Sequence, residues 1–117
     1  MRNFKELKIW QKGFQIAVKS FKLTGMFPKE EKFGISLQIT KAAVSIPSNI
    51  AEGSSRSSEK DYNRFLEISL GSSFELETQL LIAEAVGYGD NEFRKEILSD
   101  VDEEQKMLMS FMNKLNK

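Results

Sequence analysis

Two residue types are missing altogether: the 117 residues include no cysteine and no histidine. Without cysteine there is no disulfide framework and no thiol chemistry. Without histidine the commonest metal ligand and the usual general base near neutral pH are gone. Net charge is absent too, with 17 basic residues balancing 17 acidic ones. No apolar run approaches the ~20 residues that a membrane span needs. The first ten residues, MRNFKELKIW, lack the apolar stretch of a secretory signal. The expectation is a protein of the cytoplasm with no membrane contact, folded as a single domain over residues 1–117, a length that supports one core.

Proline occurs twice and glycine seven times, and these residues fall where helices would start, stop or break. No segment alternates with period two, so no strand is expected. The first helix is predicted from about Asn3 to Thr24, with Gly25 as its C-terminal cap. Pro28 suits the first turn of the second, in which Glu30 and Glu31 favour the positive end of the helix dipole. That helix is predicted to run to Glu52 and stop at Gly53. Ser57 or Ser58 then caps a third helix that runs to about Val86 and stops at Gly87. Asp90 caps the fourth, which runs to about Leu115. Three short connections between four long helices predict an all-α, antiparallel up-down-up-down four-helix bundle.

The apolar residues exceed what one bundle needs. On the first helix, Phe4, Leu7, Phe14, Val18 and Phe21 form a stripe predicted to face the core. On roughly the opposite side lie Ile9, Gly13, Ile16, Ser20 and Leu23. On the third helix, Tyr62, Leu66, Leu76, Leu80 and Ala83 form the core stripe, and Leu70, Phe74, Leu81 and Tyr88 form another. The fourth carries Phe93, Ile97, Val101, Leu108, Phe111 and Leu115. Two second stripes predict a homo-oligomer with Ile9, Ile16, Leu23, Leu70, Phe74 and Leu81 at its interface.

Charge is distributed unevenly along the chain. Residues 1–56 hold ten basic and four acidic groups, and the remainder holds seven and thirteen. Lys5, Lys8, Lys12, Lys19 and Lys22 share one face of the first helix, where they could track a phosphate backbone. The competing expectation is that they face Glu92, Glu96, Asp100, Glu103 and Glu104 on the fourth helix. Trp10 is the aromatic best suited to the rim of an RNA surface.

No enzyme is expected, and no cofactor or metal. Di-metal bundles use Glu-x-x-His pairs, which this chain cannot form. Glu52 and Glu75 could meet as an all-carboxylate site for a hard cation, but a structural polar cluster of Ser45, Asn49, Glu52 and Glu75 around Pro47 is the favoured reading. Pro47 interrupts an otherwise helical segment, and Asn49 and Glu52 are placed to satisfy backbone groups it frees or to hold Arg56.

One block is distinctive: Ser45-Ile46, then Asn49-Ile50-Ala51-Glu52-Gly53. With Phe4, Leu7, Trp10, Phe27-Pro28, Glu31, Gln38, Ala42-Ala43, Phe65-Leu66, Gly71-Ser72, Glu75-Leu76 and Gly87, it spans nearly the whole chain. On these residues the chain resembles the small bacterial four-helix-bundle proteins encoded in intervening sequences of large-subunit (23S) ribosomal RNA genes. It is more distantly similar to the accessory variability determinant of diversity-generating retroelements. The resemblance implies a bundle that assembles into a ring, a pentamer. For the retroelement relatives it implies a basic surface that engages RNA and a reverse transcriptase. The neutral charge of this chain departs from those relatives, and no catalytic residue carries over. The expected function is therefore a non-enzymatic oligomeric scaffold that meets RNA or an RNA-bound protein through the helix 1 lysines, or else a protein-binding adaptor with no nucleic-acid contact.

Overall fold

Local chemistry sets most of the helix ends. The computed structural model describes residues 2–116, and its long elements are α1 (Lys8–Thr24), α2 (Ile35–Ser54), α3 (Glu59–Val86) and α4 (Asn91–Leu115). Ser58 and Asp90 cap α3 and α4 by accepting from the amides of Asp61 and Phe93. Gly87 ends α3 in the left-handed conformation, with φ 75°, where a side chain would be strained. Asn3 caps a short 3-10 turn, Phe4–Glu6, so the expected first helix breaks at Leu7 before α1 begins. A second 3-10 turn, Lys29–Glu31, follows Pro28, and α2 starts only after Gly34. At its other end α2 runs through Gly53, which does not stop it. A Cβ there would lie 2.8 Å from Phe65 Cβ and 3.2 Å from the Tyr62 carbonyl, so Gly53 lets α2 and α3 approach.

Consecutive helices pack against each other and α4 closes back onto α1, while the backbones of the diagonal pairs stay apart and meet only through side chains in the core. With short connections this is an antiparallel four-helix bundle. Its core holds Ile39, Ile46 and Ile50 of α2, Tyr62, Leu66, Leu76 and Leu80 of α3, and Ile97, Val101 and Leu108 of α4. None of the described helices is long and apolar enough to cross a membrane.

The two faces of α1 are the reverse of those expected. Ile9, Ile16 and Leu23 are 4%, 0% and 0% exposed, and Gly13, Ala17 and Ser20 are buried with them. Phe14, Val18 and Phe21, expected in the core, stand outside at 50%, 40% and 56% exposure. Size explains the choice: small residues on the inner face let α1 lie close to its neighbours, and Gly13 sits directly on Ile46 and Pro47 of α2. Phe33, in the turn before α2, is also exposed.

Candidate functional site

The lysine row on α1 divides in two. Lys12 Nζ lies 3.1 Å from Asp100 and 3.5 Å from Glu103, and Lys19 Nζ lies 2.8 Å from Glu96 and 2.7 Å from Asp100. These two lysines are spent on α4 inside the subunit, which removes them from any free phosphate-binding row. Lys5, Lys8 and Lys22 are exposed and form no ion pair among the described residues. Hydrogen bonds to Asp100 and Glu96 raise the pKa of Lys19, while burial opposes the same effect at Lys12 without overcoming it. Burial likewise pushes Asp100 up, but the bonds from Lys19 and Lys12 win and hold it below the ordinary carboxylate value. The contribution of Asp100 to stability is thus present above its ordinary value of 3.8 and is lost as the pH falls through the lowered one. Asp100→Asn is expected to cost about 1 kcal/mol at neutral pH, read as a lower urea midpoint.

The expected assembly stripe on α1 cannot serve as one, because Ile9, Ile16 and Leu23 belong to the subunit's own core. The outer face is the one left open. Trp10, Phe14, Val18 and Phe21 line an open groove with Val44, Pro47 and Ala51 of α2. Trp10 stacks on Phe14 at 5.3 Å and meets the edge of Phe4 at 5.3 Å, so it is half-buried in an aromatic run.

The expected stripe on α3 does face outward: Leu70 is half-buried, and Phe74 and Leu81 are 48% and 47% exposed. Glu77 accepts a 2.8 Å bond from Gln105 of α4. Phe74 and Leu81, three residues before it and four after, share its face, so this stripe follows the α3–α4 side. In a ring of four helices that side is opposite the α1–α2 groove.

The polar cluster forms in part. Asn49 Nδ2 donates to the Ser45 carbonyl at 2.8 Å and to Ser45 Oγ at 2.9 Å, and Ser45 Oγ lies 2.7 Å from Ser72 Oγ. Glu52 turns instead to the surface, where Arg56 holds it at 2.9 Å. Glu75 is exposed on α3 and does not join. The two carboxylates therefore do not converge as a cation site: Glu52 pairs with Arg56, and Glu75 stands exposed on α3. Arg2 donates to the carbonyls of Ser54 and Arg56 and covers the Tyr62 ring at 4.5 Å.

Glu104 departs from expectation most. Read from the sequence as part of the acidic run facing the lysines, it is 0% exposed, in the middle of the core. Burial lifts its carboxyl from 4.5 to about 8. A signal for it exists in the sequence. Ile97, Val101, Leu108, Phe111 and Leu115 are spaced by four, seven, three and four residues, and position 104 divides the seven into three and four.

Comparison with known proteins sets this geometry beside two findings. A family model described as 23S rRNA-intervening sequence protein matches residues 5–110. Among solved structures, a protein of unknown function from the S23 ribosomal protein family of Bacteroides thetaiotaomicron VPI-5482 is 30% identical. The match covers 89% of this chain and 97% of that one, with a TM-score of 0.82. No curated protein matches.

Proposed function

The chain belongs to the 23S rRNA-intervening sequence protein family, and from that premise we propose that it is a non-enzymatic, homo-oligomeric scaffold of helices. The observation that carries this reading is the pair of apolar faces on opposite sides of the bundle. One is the α1–α2 groove around Phe14 and Phe21, the other the α3 stripe of Leu70, Phe74 and Leu81. A two-fold contact through either face leaves the other open. A head-to-tail contact covers both, and such contacts close into rings or run on as filaments. Charge favours the same pairing: the basic excess lies in residues 1–56, which build α1 and α2, and the acidic excess in the remainder, which builds α3 and α4. Closure as a ring of five is the form the family resemblance implies. Sedimentation at micromolar concentration tests the reading, with a mass several times that of the subunit expected; a clean monomer would refute it.

RNA, or a protein bound to it, is the partner proposed for this scaffold. The family description refers to 23S rRNA, and Lys8 and Lys22 remain exposed on α1 and Lys5 on the 3-10 turn before it, with Lys29 and Lys41 exposed elsewhere in the chain. Filter binding of single-stranded RNA at low salt is expected to weaken about tenfold or more when Lys5, Lys8 and Lys22 become glutamate, and to weaken as salt is raised. Affinity indifferent to both would leave the protein-binding adaptor as the better reading.

A further inference from the structure

An unpartnered carboxyl lies beside the break in α2, inside the bundle. Neither oxygen of the fully buried Glu104 has a hydrogen-bond partner among the described residues. A lone buried carboxylate is so costly that such groups become neutral instead. The carboxyl faces the break in α2. A Cβ on Gly13 would lie 2.9 Å from Glu104 Oε2, 3.1 Å from Ile46 Cγ2 and 3.4 Å from the Pro47 nitrogen. The α1 backbone, the α4 carboxyl and the proline nitrogen therefore share one small space. Pro47 has no N–H, so the carbonyl four residues before it, that of Ala43, has lost its helical donor. Ala43 is 0% exposed. Side chains serve the neighbouring carbonyls, Ser69 Oγ donating to Ile46 at 2.9 Å and Asn49 Nδ2 to Ser45 at 2.8 Å.

We propose that Glu104 is held as the neutral acid and donates its proton to the Ala43 carbonyl, so that α4 closes the break that Pro47 makes in α2. A carboxylic acid is the form of this side chain that can donate. Two charged groups act on it: Lys12 from α1 pulls its pKa down and Glu103 on its own helix pushes it up, both less than burial does. Asp100, one turn back, is engaged with Lys12 and Lys19. The groups that α2 and α3 bring to this place, Ile46, Pro47 and Ser69, carry no charge. The bundle is thereby a fold that keeps one proton its unfolded chain releases.

Carbon-13 NMR of the Glu104 carboxyl, assigned by its loss in Glu104→Gln, tests this on the whole chain. A titration midpoint well above neutrality is expected. Pro47→Ala restores an amide to compete for the Ala43 carbonyl, and is expected to lower that midpoint by about one pH unit. A midpoint in the ordinary carboxylate range, or a raised one that Pro47→Ala leaves in place, overturns the proposal. A second pair of variants serves if Pro47→Ala does not fold. At pH 6, Glu104→Gln keeps a donor of the same shape, while Glu104→Met has none and is expected to unfold about fivefold more readily than Glu104→Gln. Equal stability of the two overturns the proposal as well.

Discussion

Raising the pH from 5 to 9 is expected to remove about 4 kcal/mol from the stability of the folded chain. The direction follows from linkage. The Glu104 carboxyl titrates at about 8 in the fold against an ordinary 4.5, so the folded state binds the proton more tightly than the unfolded chain. Its contribution is fully present below 4.5, declines by about 1.4 kcal/mol per pH unit as the unfolded chain ionises, and is gone once the pH passes the folded value. Natural domains have a total stability of roughly 5–15 kcal/mol, so a loss of this size would be decisive. Asp100 acts in the opposite sense and at lower pH, since its folded value is depressed. Together the two carboxylates place greatest stability in mildly acidic solution. Urea unfolding at fixed protein concentration, repeated from pH 4 to 9, measures the effect; concentration must be held because assembly adds its own stabilisation. Glu104→Gln is expected to flatten the slope between 5 and 8. A wild-type profile already flat there would exclude a buried proton.

The second large effect concerns assembly. Phe14→Glu and Phe74→Glu are each expected to convert the proposed oligomer to folded monomer at micromolar concentration, seen as a fall in sedimenting mass with an unchanged helical circular-dichroism spectrum. Both side chains are about half exposed in the subunit, at 50% and 48%, so neither replacement empties the core. Each instead puts a charge into one half of a contact that would otherwise exclude water, where an unpaired carboxylate costs several kcal/mol. The two substitutions lie on different faces, and their equal effect would itself argue that those faces meet. Leu23→Glu, on the stripe that the sequence suggested for assembly, is expected to unfold the subunit instead, because Leu23 is fully buried.

Features set by neighbours along the chain were legible in the sequence. Ser58, Asp90 and Gly87 act as caps through their own side-chain or backbone chemistry, and no distant contact is needed to see it. The core stripe of α3 was legible for the same reason, since Tyr62, Leu66, Leu76 and Leu80 outweigh any rival set on that helix. On α1 the periodicity offers two stripes on opposite sides, and spacing alone does not decide which of them faces the core. Gly13 and Ser20 separate the three aliphatics of the second stripe. They are the reason that stripe is inside, because α1 can approach Pro47 only where it has no side chain. Glu104 was hidden by the rule that carboxylates are seldom buried, although it fills the vacant place between Val101 and Leu108. Pairing of Lys12 and Lys19 with α4 was visible as complementary charge, but which lysines pair depends on the α1–α4 packing. Glu52 and Glu75 could meet only if both faced inward at one level, and the α2–α3 register separates them: Ser45 meets Ser72 and Gly53 lies on Phe65, so the two carboxylates fall at different heights of the pair.

The central claim is that unlike faces of neighbouring subunits meet, and mixing two disabled chains tests it most directly. Phe14→Glu spoils the α1–α2 groove and leaves the α3 stripe intact; Phe74→Glu does the reverse. Sedimentation equilibrium of the equimolar mixture is predicted to show a 1:1 pair and nothing larger, while each variant alone stays monomeric. Two monomers that ignore each other on mixing, or one variant that forms dimers by itself, would contradict it.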